Sequence, residues 1–144
     1  MTKNLLKINK LFSKRNWEVF GEIMGAVIGI LISIYLVPKF SFITADYYQW
    51  LPTAIVITIL NAVIESVGHL NAKTLIKPIT KIISLALTAY SIILLLKIFP
   101  FDFNIINKPQ LNSLVRLILY ISLIGMLISA VINFLKSNSL SKED

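Results

Sequence analysis

The chain has no cysteine, a single histidine and seven acidic residues. The missing cysteine excludes disulfides, thiolate metal sites, thiol redox chemistry and a cysteine nucleophile. One histidine and scattered acids are too few for a transition-metal centre, which usually needs three or four ligands. There is no glycine-rich phosphate loop, no H-E-x-x-H pattern, and no serine set beside a histidine at a depth suited to nucleophilic catalysis. On this inventory neither an enzyme nor a bound cofactor or metal is expected. Charge of both signs is also scarce: 15% of the 144 residues, against about 25% in typical soluble domains.

Apolar residues fill the space, at 56% of the chain. The charges are clustered and leave four nearly charge-free stretches of the length needed to cross a hydrocarbon core about 30 Å thick. They cover approximately residues 19–37, 48–67, 79–99 and 114–135. The expected fold is therefore all-α, an integral membrane four-helix bundle. Residues 17–136 form the membrane domain, 1–16 a short basic amphipathic cytoplasmic segment, and 137–144 a polar cytoplasmic tail. The first apolar run is longer than a secretory h-region and no small-x-small cleavage pattern follows it, so it reads as a retained helix.

A net charge of +7 suggests nucleic acid only where basic residues spread over a soluble surface among aromatic platforms. Here they sit at the ends of apolar runs, as topology signals and contacts for anionic lipid head groups. Lys3, Lys7, Lys10 and Lys14 recur at helical steps with Leu5, Ile8, Leu11 and Phe12 between them, the pattern of a segment lying in the interface; a disordered basic tail is the simpler alternative. With Arg15 at the first end and Lys73, Lys77 and Lys81 in the middle connection, the positive-inside rule places both termini and that connection in the cytoplasm, in an inner membrane. Aromatics agree: Tyr35, Phe40, Phe42, Tyr47, Tyr48 and Trp50 gather at the first outer connection, and Phe99, Phe101 and Phe103 at the second. Trp17 and Phe20 mark the inner interface.

The outer connections resemble each other, "LVPKFSFI" at 36–43 against "IFPFDFNI" at 98–105, each closing a span with a proline followed by phenylalanines. Pro38, Phe40, Pro100 and Phe101 define this outer-loop motif, and the likeness suggests an internal repeat of two tandem transmembrane hairpins. Together with Trp50, the asparagine of "ILNAV" (59–63) and "LIKPI" (75–79), these segments make residues 29–135 resemble phage holin family 4, small four-helix membrane proteins of bacteria. The resemblance implies fold and location more than lysis. The chain departs from the family pattern at one place, where "LNA" occurs twice, at 60–62 and 70–72, lengthening the middle connection by about three helical turns.

Counted at about 100° per residue, span two gathers Ala54, Thr58, Asn61, Glu65, Gly68, His69 and Ala72 on one face. Glu65 falls about 22 Å below Trp50, and Glu22 of span one reaches a similar depth. Lys81 and Lys136 are near enough to reach that level. One reading makes Glu22, Glu65, His69 and Asn61 a proton or cation site at the cytoplasmic mouth. The simpler reading pairs Glu65 with Lys81 or Asn61 and leaves His69 as an interfacial residue, where a charge is cheap to solvate. Gly21, Gly25, Gly29 and Ser33 recur every four residues on span one, spacing that lets two helix backbones approach; span two of the same chain is the slightly favoured partner over another copy. Arg116 suits a lipid phosphate or simple snorkelling. The expectation is a non-catalytic scaffold or accessory subunit of a membrane assembly, bound to anionic lipid and possessing a homo- or hetero-oligomeric partner but no nucleic acid. The alternative is a holin-like pore or small proton- or cation-coupled transporter.

Overall fold

The computed structural model describes residues 2–71 and 75–140, with side chains for 16–71, 75–135 and 137. It contains α1 (Thr2–Leu31), which continues through a π-helical turn (Ile32–Leu36) and a 3-10 turn (Val37–Lys39), then α2 (Tyr47–Leu70), α3 (Ile76–Ile98), a 3-10 turn (Phe103–Ile106) and α4 (Gln110–Leu140). Four segments are long and apolar enough to cross a membrane: Asn16–Lys39, Tyr47–Leu70, Ile76–Ile98 and Gln110–Leu135. The all-α, four-span architecture read from hydropathy is the one observed, with boundaries displaced by a few residues.

The backbone is helical from Thr2, and the side chains of the basic segment, Lys3 to Arg15, lie outside the described residues. So do Lys73, the side chain of Lys136 and residues 141–144 of the polar tail, whose first part extends α4 as far as Leu140.

Neighbours in sequence are neighbours in space: α1 packs on α2, α2 on α3 and α3 on α4, with the largest contact between α2 and α3. That central contact mixes apolar side chains of α2 with small and weakly polar ones of both helices. Leu51, Ala54 and Ile57 of α2 are buried, as are Thr80, Ser84 and Ser91 of α3. The choice is physical. Lipid tails are as apolar as leucine, so helices associate in a membrane through close packing and interhelical hydrogen bonds, which small residues permit. Where α2 turns back toward α3, Gly68 lies directly against the Thr80 hydroxyl.

The α1–α2 and α3–α4 connections pair with each other. Ile43 and Phe101 form an isolated antiparallel bridge, flanked by Thr44 N–H donating to Pro100 O at 2.9 Å and Asp102 N–H donating to Phe42 O at 2.8 Å. Pro100 is fully buried beneath it. A run of rings follows: Phe40 on Phe42 (5.3 Å between centroids), Phe42 on Phe103 (4.7 Å), Phe103 with Phe101 (6.2 Å) and Phe101 with Phe99 (5.4 Å). The Arg116 guanidinium closes it, 3.8 Å from the Phe99 ring centre. Phe99 ends α3 in the left-handed region at φ 44°, a conformation that is uncommon outside glycine; Pro100 follows, unable to continue the helix. The repeated proline–phenylalanine motif thus builds one cap joining both hairpins.

Candidate functional site

At the end opposite that cap, two acids of α1 and a histidine of α2 come together. Glu18 and Glu22 are one helical turn apart and share a face of α1, and His69 lies in the last turn of α2. The ring lies between the two acids, with His69 Nδ1 3.1 Å from Glu18 Oε2 and Nε2 3.5 Å from Glu22 Oε1. The Nδ1 contact with Glu18 is a hydrogen bond, and the Nε2 contact with Glu22 is a longer ion-pair distance. His69 is largely covered and the acids are more open, with side-chain exposures of 19%, 35% and 41% for His69, Glu18 and Glu22.

Glu65 does not join this group. It stands one turn from His69 on α2 but faces α3, where Lys81 Nζ donates to its Oε1 at 2.8 Å. Asn61 also faces α3: its Nδ2 donates to Thr88 Oγ1 at 2.9 Å. The four residues singled out from sequence therefore divide, Glu22 and His69 toward α1, Glu65 and Asn61 toward α3. Among the described residues no group of three or more His, Cys, Asp or Glu side chains is placed to hold a metal ion.

Glu18, one turn before Glu22 and adjacent to Trp17, is the member of this group that sequence reasoning misses. Two of the aromatics gathered at the first connection, Tyr47 and Trp50, turn inward. Tyr47 is 2% exposed and its hydroxyl donates to Ser33 O of α1 at 3.0 Å, within the π turn. Trp50 is half-buried and its indole N–H donates to Ser91 O of α3 at 3.0 Å. Tyr35 and Tyr48 do face outward.

The glycine row on α1 has a different setting from the expected one. Ideal Cβ atoms built on Gly21, Gly25 and Gly29 meet nothing within 4 Å, and the same holds for Gly125 on α4. The small stripe of α2 instead meets the stripe of Thr80, Ser84, Thr88 and Ser91 on α3, through the Asn61–Thr88 bond and the approach of Gly68 to Thr80. No family model, curated protein or solved structure matches the chain.

Proposed function

We propose that this four-span membrane protein works without catalysis, as a scaffold or accessory subunit that binds other membrane helices through α1. The observation that carries the reading is the open row of Gly21, Gly25 and Gly29. Large apolar side chains facing acyl chains need no partner, and α1 and α4 expose many of them. A run of glycines is different, because it forgoes side-chain packing and raises backbone exposure unless another helix lies against it. A shallow apolar groove of about 360 Å³ between α1 and α2, lined by Ile23, Ala26 and Val27 of α1 and by Ile59 and Val63 of α2, lies on a different face of α1 from the glycines. The basic inner ends and the outer aromatic cap support an orientation with both termini cytoplasmic in an inner membrane containing anionic lipid. The resemblance to phage holin family 4 supports the same placement.

Mild-detergent purification followed by mass spectrometry of the intact complex tests this. A second copy or a distinct membrane protein is expected to travel with the chain and to be lost from Gly25→Leu and Gly29→Leu, whose added side chains meet nothing in the chain itself. A strictly monomeric wild type, or variants that retain the partner, would refute it.

One observation favours the second reading, a holin-like pore or small coupled transporter: His69 held between Glu18 and Glu22. It requires that His69→Gln or Glu22→Gln abolish proton or cation flux in reconstituted vesicles while the helical fold persists. The pairing of Glu65 with Lys81 gives Glu65 a sufficient structural role within that alternative.

A further inference from the structure

Away from the charged end, α1, α2 and α3 surround a cavity of about 130 Å³ with Ser33, Trp50, Thr58, Asn61, Thr88 and Ser91 in its wall. Thr58 and Asn61 lie within three residues of the middle of α2, and Thr88 lies beside the middle of α3. Polar groups are thus gathered at the depth where a bilayer is driest and where they must be satisfied within the protein.

Hydrogen-bond accounting gives the wall its chemical character. The Thr58 hydroxyl donates to Ala54 O at 2.8 Å and the Thr88 hydroxyl to Ser84 O at 2.9 Å, while Thr88 Oγ1 accepts from Asn61. The Trp50 indole proton is committed to Ser91 O. These donors are spent on the protein, and their oxygens offer lone pairs. Asn61 Oδ1 is buried with no donor of its own. The π turn at Ile32–Leu36 adds to the same wall: Ser33 is within it, and its carbonyl has already turned to accept from Tyr47. Such turns occur frequently at functional sites.

From this geometry we infer that the cavity is a binding site for a monovalent alkali cation. Hard oxygen donors suit alkali and alkaline-earth ions better than transition metals. None of the described residues lining the cavity carries a charge, so a divalent ion would bring a larger uncompensated charge into a low dielectric than a monovalent one. An anion would meet the lone pairs of Thr58 and Thr88, whose protons are committed to Ala54 O and Ser84 O. The space accommodates the ion with water completing its coordination. The site is separate from the glycine face of α1 and from the His69 group, and it stands whether or not a protein partner exists.

Thermal unfolding in detergent, at constant ionic strength, tests the site with lithium, sodium, potassium or choline chloride. A ligand that binds only the folded state raises the midpoint as its concentration passes Kd. One alkali cation is expected to raise it by several degrees, saturably and selectively over choline, with Thr58→Val and Asn61→Ala losing the shift and Thr58→Ser keeping it. Thr58→Val is the safer variant, because the hydroxyl bonds only within its own helix. Calorimetric titration of the wild type with the same salts reads binding independently of any variant. Equal midpoints in all four salts with no heat of binding would mean a chamber filled by water alone and would overturn the inference, as would an undiminished shift in folded Thr58→Val.

Discussion

Ile43 and Phe101, 58 residues apart in sequence, face each other in a bridge that joins the α1–α2 and α3–α4 connections. The flanking bonds run from Thr44 N–H to Pro100 O and from Asp102 N–H to Phe42 O, so Ile43 and Phe101 are the pair that exchanges no bond directly. In antiparallel ladders the Cα atoms of such pairs are about 4.5 Å apart, near the lower end of the disulfide range of about 4.4–6.8 Å. Ile43→Cys combined with Phe101→Cys is therefore expected to oxidise to an intramolecular disulfide. The natural chain has no cysteine to compete, and intact mass before and after reduction reads the result. Two free thiols after mild oxidation of the folded protein would show that the hairpins are not joined at this cap.

The Tyr47 hydroxyl ties α2 to the π turn that follows α1. Tyr47→Phe keeps the buried ring but removes the donor to Ser33 O. Net hydrogen-bond contributions are about 0.5–1.5 kcal/mol, and those between membrane helices average near the low end. A loss of about 1 kcal/mol is expected in denaturant-induced unfolding, because the Ser33 carbonyl loses its partner in the π turn. Tyr48→Phe, on the exposed neighbouring ring, is expected to leave stability unchanged.

How far the sequence foretold this structure varied with the physical cause. The four spans were legible because hydrocarbon thickness imposes a length and excludes charge over that length, and both conditions can be read from one chain. The motif at Pro38, Phe40, Pro100 and Phe101 was legible as a repeat, but its bridge was not, since the cap depends on two loops meeting and neither contains a pairing code. The glycine row was visible and its setting was not: periodic small residues identify a face suited to close approach without identifying what approaches it. Thr80, Ser84, Thr88 and Ser91 had the same helical spacing and were passed over, because four hydroxyl residues in an apolar run read individually as tolerable. The depth estimate put Glu22 and Glu65 at one level, and rotation about the helix axis then turned Glu65 to Lys81 and left Glu22 to His69.

The Glu65–Lys81 pair yields a sign that distinguishes an ion pair from a general preference for charge. Glu65 is largely covered, at 15% side-chain exposure, and Lys81 is half open at 47%. Breaking a buried pair from one side costs about 3–5 kcal/mol, while replacing both partners by apolar residues is often neutral. Exposure of the lysine reduces this, so a coupling of about 1 kcal/mol is expected from a double-mutant cycle. Lys81→Leu should therefore be less stable than Glu65→Leu combined with Lys81→Leu. Additive effects in the cycle would mean that the two charges act independently.

The strongest contrast is between two glycines. At Gly68 a Cβ would run into the Thr80 hydroxyl, with the Thr80 Cβ at 3.4 Å behind it; at Gly25 it would meet nothing. Forcing an extra carbon into a packed contact costs about 1–3 kcal/mol, whereas alanine in an open helical position gains about 0.5–1 kcal/mol over glycine through propensity alone. Gly68→Ala is therefore expected to destabilise the α2–α3 pair and Gly25→Ala to stabilise the isolated chain slightly. Thr80→Ala removes the oxygen that the new methyl would strike, so it should recover much of the loss when combined with Gly68→Ala. Thr80 Oγ1 otherwise donates only to Lys77 O within its own helix, so Thr80→Ala alone should be mild. Unfolding titrations of the four variants, with the protein confirmed monomeric, separate the cases: a Gly68→Ala protein as stable as wild type would show that α2 and α3 do not approach as closely there as the Gly68–Thr80 contact requires.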